Sequence, residues 1–186
     1  TQNPAVSPSG GRPFTVVLMT IYSVENAGIR YVSAALQRAG IQTHIVFLRD
    51  WVHNRLVMPD ETDLKMAMDI IREKKADMVG IGFMSSLTCM AKELTARIRQ
   101  DFPDTPITWG GIHPTSVPEE CIPIADFVCV GEGEQEIIDL CEAVRDDGDV
   151  TNSPNIWARV DGGIHRNAPR PLIKDLGWLP YPDVAE

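Results

Sequence analysis

The sequence lacks any run of about 18 or more apolar residues, the minimum for a membrane-crossing helix. Cations are also scarce: 17 Lys and Arg against 26 Asp and Glu leave a formal net charge of −9. Nucleic-acid surfaces need clustered Lys and Arg to meet phosphates, so no nucleic-acid partner is expected. The four cysteines, Cys89, Cys121, Cys129 and Cys141, show no CxxC spacing, which argues against zinc or an iron–sulfur cluster held within these residues. They read as reduced, buried thiols of a cytoplasmic protein. The first apolar stretch, Phe14 to Ile21, is short, contains two Thr and follows no cationic segment, so a secretory signal is not expected. What is present is 186 residues, 44% of them hydrophobic, enough for one globular domain with a sizeable core and some appendages.

Residues 1–13, rich in Pro, Ser, Gly and Asn, are expected to form a disordered leader. Strand-like runs then alternate with helix-length segments. Phe14–Ile21, Thr43–Leu48, Asp77–Met84, Pro106–Trp109 and Asp126–Val130 read as strands. Glu25–Arg38, Glu61–Lys75, Leu87–Asp101 and Glu132–Asp146 read as helices, the first stopping at Gly40, and Val117–Ile122 as a helical turn. The Met66, Met68, Ile70 and Ile71 cluster reads as helix core. Strands separated by helices require right-handed crossovers and a parallel sheet. The prediction is a doubly wound α/β domain over residues 14–148 with five parallel strands. Beyond it, Ile156–Val160 and Ile164–Arg166 flank Asp161-Gly162-Gly163 as a small hairpin. Pro169, Pro171, Pro180 and Pro182 mark an extended exit. Residues 149–186 look too small for a core of their own and are expected to add little stability.

In open parallel sheets, ligands bind outside the carboxyl ends of the strands, near the point where strand order reverses. The sequence is irregular at those ends. Tyr22-Ser23-Val24-Glu25-Asn26-Ala27-Gly28 follows the first strand and Ser85-Ser86-Leu87 the third. Gly110-Gly111-Ile112-His113-Pro114-Thr115 follows the fourth, and Gly131-Glu132-Gly133-Glu134 the fifth. Four such turns on one rim describe a groove whose backbone can be approached closely. Gly80 and Gly82 lie two apart on one strand, so one face is bare there; tight helix packing and an inserted ligand group both account for this. Glu132, Glu134 and Glu136 fall in the predicted first helical turn, where carboxylates suit the helix dipole and repel a phosphate; a sugar hydroxyl suits them better. His113, between a double glycine and a proline, is expected on an exposed loop. His44, His53 and His165 have ordinary strand or loop settings, and no Ser/His/Asp or Cys/His set can be assembled from spacing.

Ser85-Ser86-Leu87 and Gly110-Gly111, with 22 residues between, resemble the SxL…GG pair of cobalamin-binding domains. Gly110-Gly-Ile-His-Pro-Thr115, Pro118-Glu-Glu120, Asp126-Phe-Val128 and Gly131-Glu-Gly-Glu134 together resemble the N-terminal domain of cobalamin-dependent radical SAM enzymes. The exit Asp175-Leu-Gly-Trp-Leu-Pro-Tyr-Pro182 is similar to the linker before their radical SAM barrel. The resemblance implies a flavodoxin-like (Rossmann-like) fold that binds cobalamin across the strand ends, its nucleotide tail buried in the groove. It implies hydroxyls from Ser85 and Ser86 toward the tail's base, Gly110 and Gly111 along the tail, and His113 and Thr115 near its sugar or phosphate. Glu132 or Glu134 would accept from a ribose hydroxyl. The methionine-synthase type of domain carries DxHxxG after the first strand, its His ligating cobalt. Here the slot reads Ser23-x-Glu25-x-x-Gly28, without Asp or His, as is common in the radical SAM branch. Base-off binding with Tyr22, Ser23, Val24 and Glu25 facing a cobalt that has no protein ligand is therefore implied. No CxxxCxxC motif occurs, so the family's [4Fe–4S] cluster and S-adenosylmethionine would belong to a downstream radical SAM domain. This segment would then bind cofactor, not catalyse, within a longer enzyme, with methyl transfer the commonest outcome in the family.

A different class of function also fits the fold: a domain that binds FMN, or an interaction module without ligand. An FMN site favours a Ser/Thr-rich phosphate loop after the first strand, and Ser23 is the sole Ser or Thr in Tyr22–Gly28.

Overall fold

The computed structural model describes residues 12–22, 26–49 and 57–182. The leader through residue 11, the Ser23-Val24-Glu25 turn and His53 lie outside the described residues. The elements run β1 (Thr15–Thr20), α1 (Ala27–Arg38), β2 (Gln42–Phe47), α2 (Glu61–Lys74), β3 (Met78–Gly82), α3 (Thr88–Asp101) and β4 (Ile107–Gly110). Two short helices, α4 (Ile112–Ser116) and α5 (Pro118–Cys121), lead to β5 (Phe127–Cys129), α6 (Glu134–Arg145), β6 (Ile156–Val160) and β7 (Gly163–Arg166).

The sheet order is β2-β1-β3-β4-β5-β6-β7. The first five strands are parallel in the flavodoxin-like order, which reverses direction between β1 and β3. The sheet has seven strands, not five: β6 pairs antiparallel with β5 and β7 with β6. The predicted hairpin is therefore part of the sheet. Asp161 (φ 50°) and Gly162 (φ 77°) turn it with two left-handed residues, the geometry a two-residue hairpin requires.

β1 is buried on both faces because its two sets of alternating side chains enter different cores. Val17 and Met19 join Ile81, Trp109 and the apolar faces of α2 and α3. Val16 and Leu18 join Phe127 and residues of α1 and α6, together with Ile156 and Ala158 of β6. Carboxylates at the amino ends of the strands clamp this arrangement. Asp126 accepts from the Ile107 N–H (2.9 Å), Arg99 (2.5 Å) and Arg159 (3.0 Å), and Asp77 accepts from the Thr15 N–H (2.8 Å).

Two helix starts and the burial of one histidine differ from the sequence reading. α1 begins at Ala27 because Asn26 caps it, its side-chain oxygen accepting from the Ile29 N–H at 3.2 Å. α6 begins at Glu134 with Gly133 as cap, so Glu132 precedes the helix. His113 is not on an exposed loop: it lies on α4 and is 9% exposed, because Gly111 turns the chain back under the sheet's rim. Of the cysteines, Cys89 is exposed and the other three are buried. No helix of the described residues is long and apolar enough to cross a membrane.

The burial of β6 overturns the expectation that residues past 150 add little. Ile156 is fully buried whereas Ile164 on β7 is 44% exposed. Ile156→Ala should cost about 3 kcal/mol from lost burial and the cavity left behind. That lowers the melting temperature by roughly 6–12 °C in a domain of this size. Ile164→Ala should stay within about 0.5 kcal/mol, and thermal melts of the two variants compare them directly.

Candidate functional site

The register of the central strands places small residues side by side on one face. Leu18, Gly80 and Thr108 form one row across β1, β3 and β4, and Thr20, Gly82 and Gly110 the next row toward the carboxyl ends. A groove of about 680 Å³ opens over these rows. Ile29 and Val32 of α1 form one wall and Ile137 of α6 the other, while Tyr22, Asn26, Met84, Ile112 and Glu132 stand around its mouth. A second cavity, of about 440 Å³, lies against edge strand β2 between α1 and α2. None of the residues predicted for the site line that second cavity.

The glycines divide by role. A Cβ built on Gly80 would meet Leu18 at 2.8 Å, so that glycine admits a leaning core side chain. A Cβ on Gly82 meets nothing within 4 Å: its missing side chain is open groove. Gly111, at φ +97°, is a backbone requirement, since a Cβ there would lie 2.9 Å from the Phe83 carbonyl oxygen. At the groove floor the Thr108 side-chain oxygen is buried without a hydrogen-bond partner, which is costly unless something polar reaches it.

Of the residues predicted for the site, Tyr22, Leu87, Gly110, Gly111, Gly131, Glu132, Gly133 and Glu134 line the groove. Ser85, Ser86, His113 and Thr115 do not; the rim loops use three of them as braces. The His113 ring nitrogen Nδ1 lies 3.1 Å from the Ser85 hydroxyl, and the ring packs on Phe83 with centroids 5.5 Å apart. Phe83 meets the buried Trp109 edge-to-face at 4.9 Å, and the Trp109 indole N–H donates to Thr95 at 2.9 Å. The Thr115 hydroxyl accepts from the Gly131 N–H at 3.0 Å, tying two rim turns together. Ser23, Val24 and Glu25 lie outside the described residues.

Sequence reasoning missed Thr20, Thr108 and the inner faces of α1 and α6 as groove residues. Their signal was the shared two-residue spacing of positions 18/20, 80/82 and 108/110, which becomes one surface only once register is known.

The glutamates after β5 have three different settings. Glu132 stands at the groove and accepts from the Ile173 N–H at 3.3 Å. Glu134 turns back to accept from the Gly133 N–H at 3.1 Å. Glu136 is 2% exposed, facing Arg170 at 3.5 Å, so it is not a surface partner of the helix dipole. Cys129 also lines the groove, but burial, followed by the charges of Glu136 and Glu134, pushes its thiol up to about 12 and keeps it protonated. Among the described residues no cluster of three or more His, Cys, Asp or Glu could hold a metal ion.

The family model for the B12 binding domain matches residues 15–140, more than half of the chain. An anaerobic magnesium-protoporphyrin IX monomethyl ester cyclase of Synechocystis is 29% identical over 109 residues, covering 54% of this chain and 22% of that protein. Among solved structures, the cobalamin-dependent S-adenosylmethionine radical enzyme OxsB with aqua-cobalamin bound superposes with a TM-score of 0.73 at 17% identity. That match covers 91% of this chain and 24% of OxsB. The radical S-adenosylmethionine methyltransferase TsrM of Kitasatospora setae, with cobalamin and a [4Fe-4S] cluster bound, gives 0.69 at 19% identity, covering 91% of this chain and 31% of TsrM. At these identities the structural likeness is one of fold. The chain spans less than a third of the length of each of these proteins.

The setting of Glu136 has a measurable consequence. Burial raises its carboxyl above the ordinary 4.5, with Asp139 and Glu134 adding to the rise and Arg170 opposing it. Between 4.5 and the folded value, the folded carboxyl keeps a proton that the unfolded one has lost. This group's contribution therefore falls as pH rises through that window. Urea unfolding at stepped pH should show this slope in the wild type and a flatter profile in Glu136→Gln.

Proposed function

The chain belongs to the B12-binding domain family, and on that premise we propose that its groove holds the nucleotide tail of base-off cobalamin, with the corrin across the rim. The observation that carries the proposal is the glycine strip at Gly82 and Gly110, in register on neighbouring strands, open above Gly82 and bordered by the Cys129 side chain at Gly110, in a groove of about 680 Å³. A flat aromatic base needs such a bare backbone slot. The fit extends to a polar group, since Glu132 offers a carboxylate at the mouth. Met84 and Ile112, 54% and 71% exposed beside the groove, supply an apolar platform for the macrocycle.

In this reading Tyr22, with the Ser23-Val24-Glu25 stretch that follows it in sequence, would serve the cobalt side, Gly110 and Gly111 would border the tail, and Glu132 would accept from its ribose. Ser85, His113 and Thr115 act through the loops they brace, and Glu134 is engaged with its own helix start. When bound, cobalamin supplies methyl-carrying chemistry; the protein supplies binding and orientation. The domain would serve as the front part of a cytoplasmic radical SAM methyltransferase, whose downstream domain holds the [4Fe–4S] cluster and S-adenosylmethionine.

Wild-type protein mixed with hydroxocobalamin and desalted should stay red, and protein mixed with FMN should not turn yellow. Gly82→Val should weaken cobalamin binding about 5- to 150-fold by filling the slot, an overpacking cost of about 1–3 kcal/mol. Its melting temperature should stay near the wild type, because a β-branched residue suits a strand with open space above it. Retention of FMN in place of cobalamin would overturn the proposal. Gly111→Val is the wrong probe, since it strains the backbone against Phe83 before any ligand arrives.

The cobalt should have no protein nitrogen ligand. Among the described residues no histidine lines the groove: His44 lies on edge strand β2, His165 on β7, and His113 under the rim. Cob(II)alamin on this domain should give an electron paramagnetic resonance signal without nitrogen superhyperfine splitting. A triplet splitting would show instead that a histidine, or the retained base, ligates cobalt.

A further inference from the structure

After β7 the chain runs along the molecule without strand pairing, fastened mainly by side chains. The Asn167 amide donates to the Ile156 carbonyl at 2.7 Å, and the Asn155 N–H donates to the Ala168 carbonyl at 3.2 Å. The Arg170 N–H donates to the Asn155 side chain. The Arg170 guanidinium then spans α6, 2.5 Å from Asp139 and 3.5 Å from the buried Glu136. Three residues further on, the Ile173 N–H donates to Glu132, and beyond that Arg38 of α1 donates to the Trp178 carbonyl. The exit segment is thus strapped over the start of α6, and its contact with the groove is made through Glu132.

Glu132 stands at the groove with hydrogen-bonding capacity to spare. The Ile173 N–H engages one carboxylate oxygen, and the other has no hydrogen bond among the described residues. A carboxylate on a turn of glycines has little else to hold its orientation. Arg170 is the cation that anchors the strap to Glu136 and Asp139, three residues before the Ile173 N–H that meets Glu132.

We infer that Arg170 is a positioning residue for the groove: by fastening the exit segment to α6, it holds the Ile173 N–H on Glu132 and aims that carboxylate at the sugar of the bound nucleotide tail. The inference rests on the cobalamin reading above. It couples two places in the chain, and such coupling is reciprocal: a ligand that orders Glu132 must tighten the strap by the factor with which the strap tightens the ligand.

The test is a double-mutant cycle on the full 186-residue chain, titrated with hydroxocobalamin and with dicyanocobinamide, which lacks the nucleotide tail. Arg170→Ala should weaken hydroxocobalamin binding by about tenfold, the scale of one charge-assisted hydrogen bond, and leave dicyanocobinamide unchanged. Glu132→Gln should do the same, and Arg170→Ala added to it should cost nothing more. Arg170→Lys should restore part of the loss. In case Arg170→Ala does not fold, amide exchange in the wild type reads the same coupling: hydroxocobalamin should slow exchange at Ile173, and dicyanocobinamide should not. Equal losses for both ligands, additive losses in the double variant, or unchanged Ile173 exchange would each overturn the inference. A wild type that fails to bind hydroxocobalamin would overturn the cobalamin reading itself.

Discussion

A parallel sheet that leaves one face of its central strands bare has to be held from the other face. Gly82 and Gly110 contribute no side chain to the α1/α6 side, so packing there stops short of the strand ends. On the opposite side Met19, Ile81 and Trp109 are fully buried, and Phe83 packs edge-on against the Trp109 ring. Two separate cores, one per face, let the sheet keep an open end without losing its anchorage. The hairpin contributes to the same balance, since Ile156 and Ala158 complete the core on the grooved face.

The rim follows from that constraint. Gly111 takes a left-handed conformation directly against the Phe83 backbone, which brings α4 back over β3 and buries His113 between Phe83 and Ser85. Thr115 then reaches the Gly131 turn. Residues that stand together in a recurring motif here serve each other, holding the turns at the spacing that the open strip requires. A rigid supporting layer of this kind is what keeps a binding site from drifting out of register with its ligand.

The electrostatics of the fifth turn show how similar residues part company. Glu132, Glu134 and Glu136 are spaced two apart, yet one faces the groove, one faces its own helix start, and one is buried under the exit segment. Cys129, a few residues earlier, is kept neutral by the same burial. The region therefore offers hydrogen-bond acceptors to a ligand without offering a nucleophile.

Much of the fold was legible in the linear pattern. The alternation of apolar runs and amphipathic segments required a doubly wound parallel sheet. The Asp161-Gly162-Gly163 turn is readable as a hairpin because it satisfies a local backbone demand, whereas the pattern sets both helix starts, at Glu25 and Glu132, two residues ahead of Ala27 and Glu134. The clustering of small residues at the strand ends located the rim for the same local reason. Tertiary structure decided the rest, because strand register and packing depend on residues far apart in sequence. Only register could set Gly82 beside Gly110 and Gly80 beside Thr108, turning separate glycines into one slot. Only packing could separate Gly80, occupied by Leu18, from Gly82, which is open. Likewise, the attachment of β6 to β5 and of the exit segment to α6 rests on long-range contacts that no local pattern encodes.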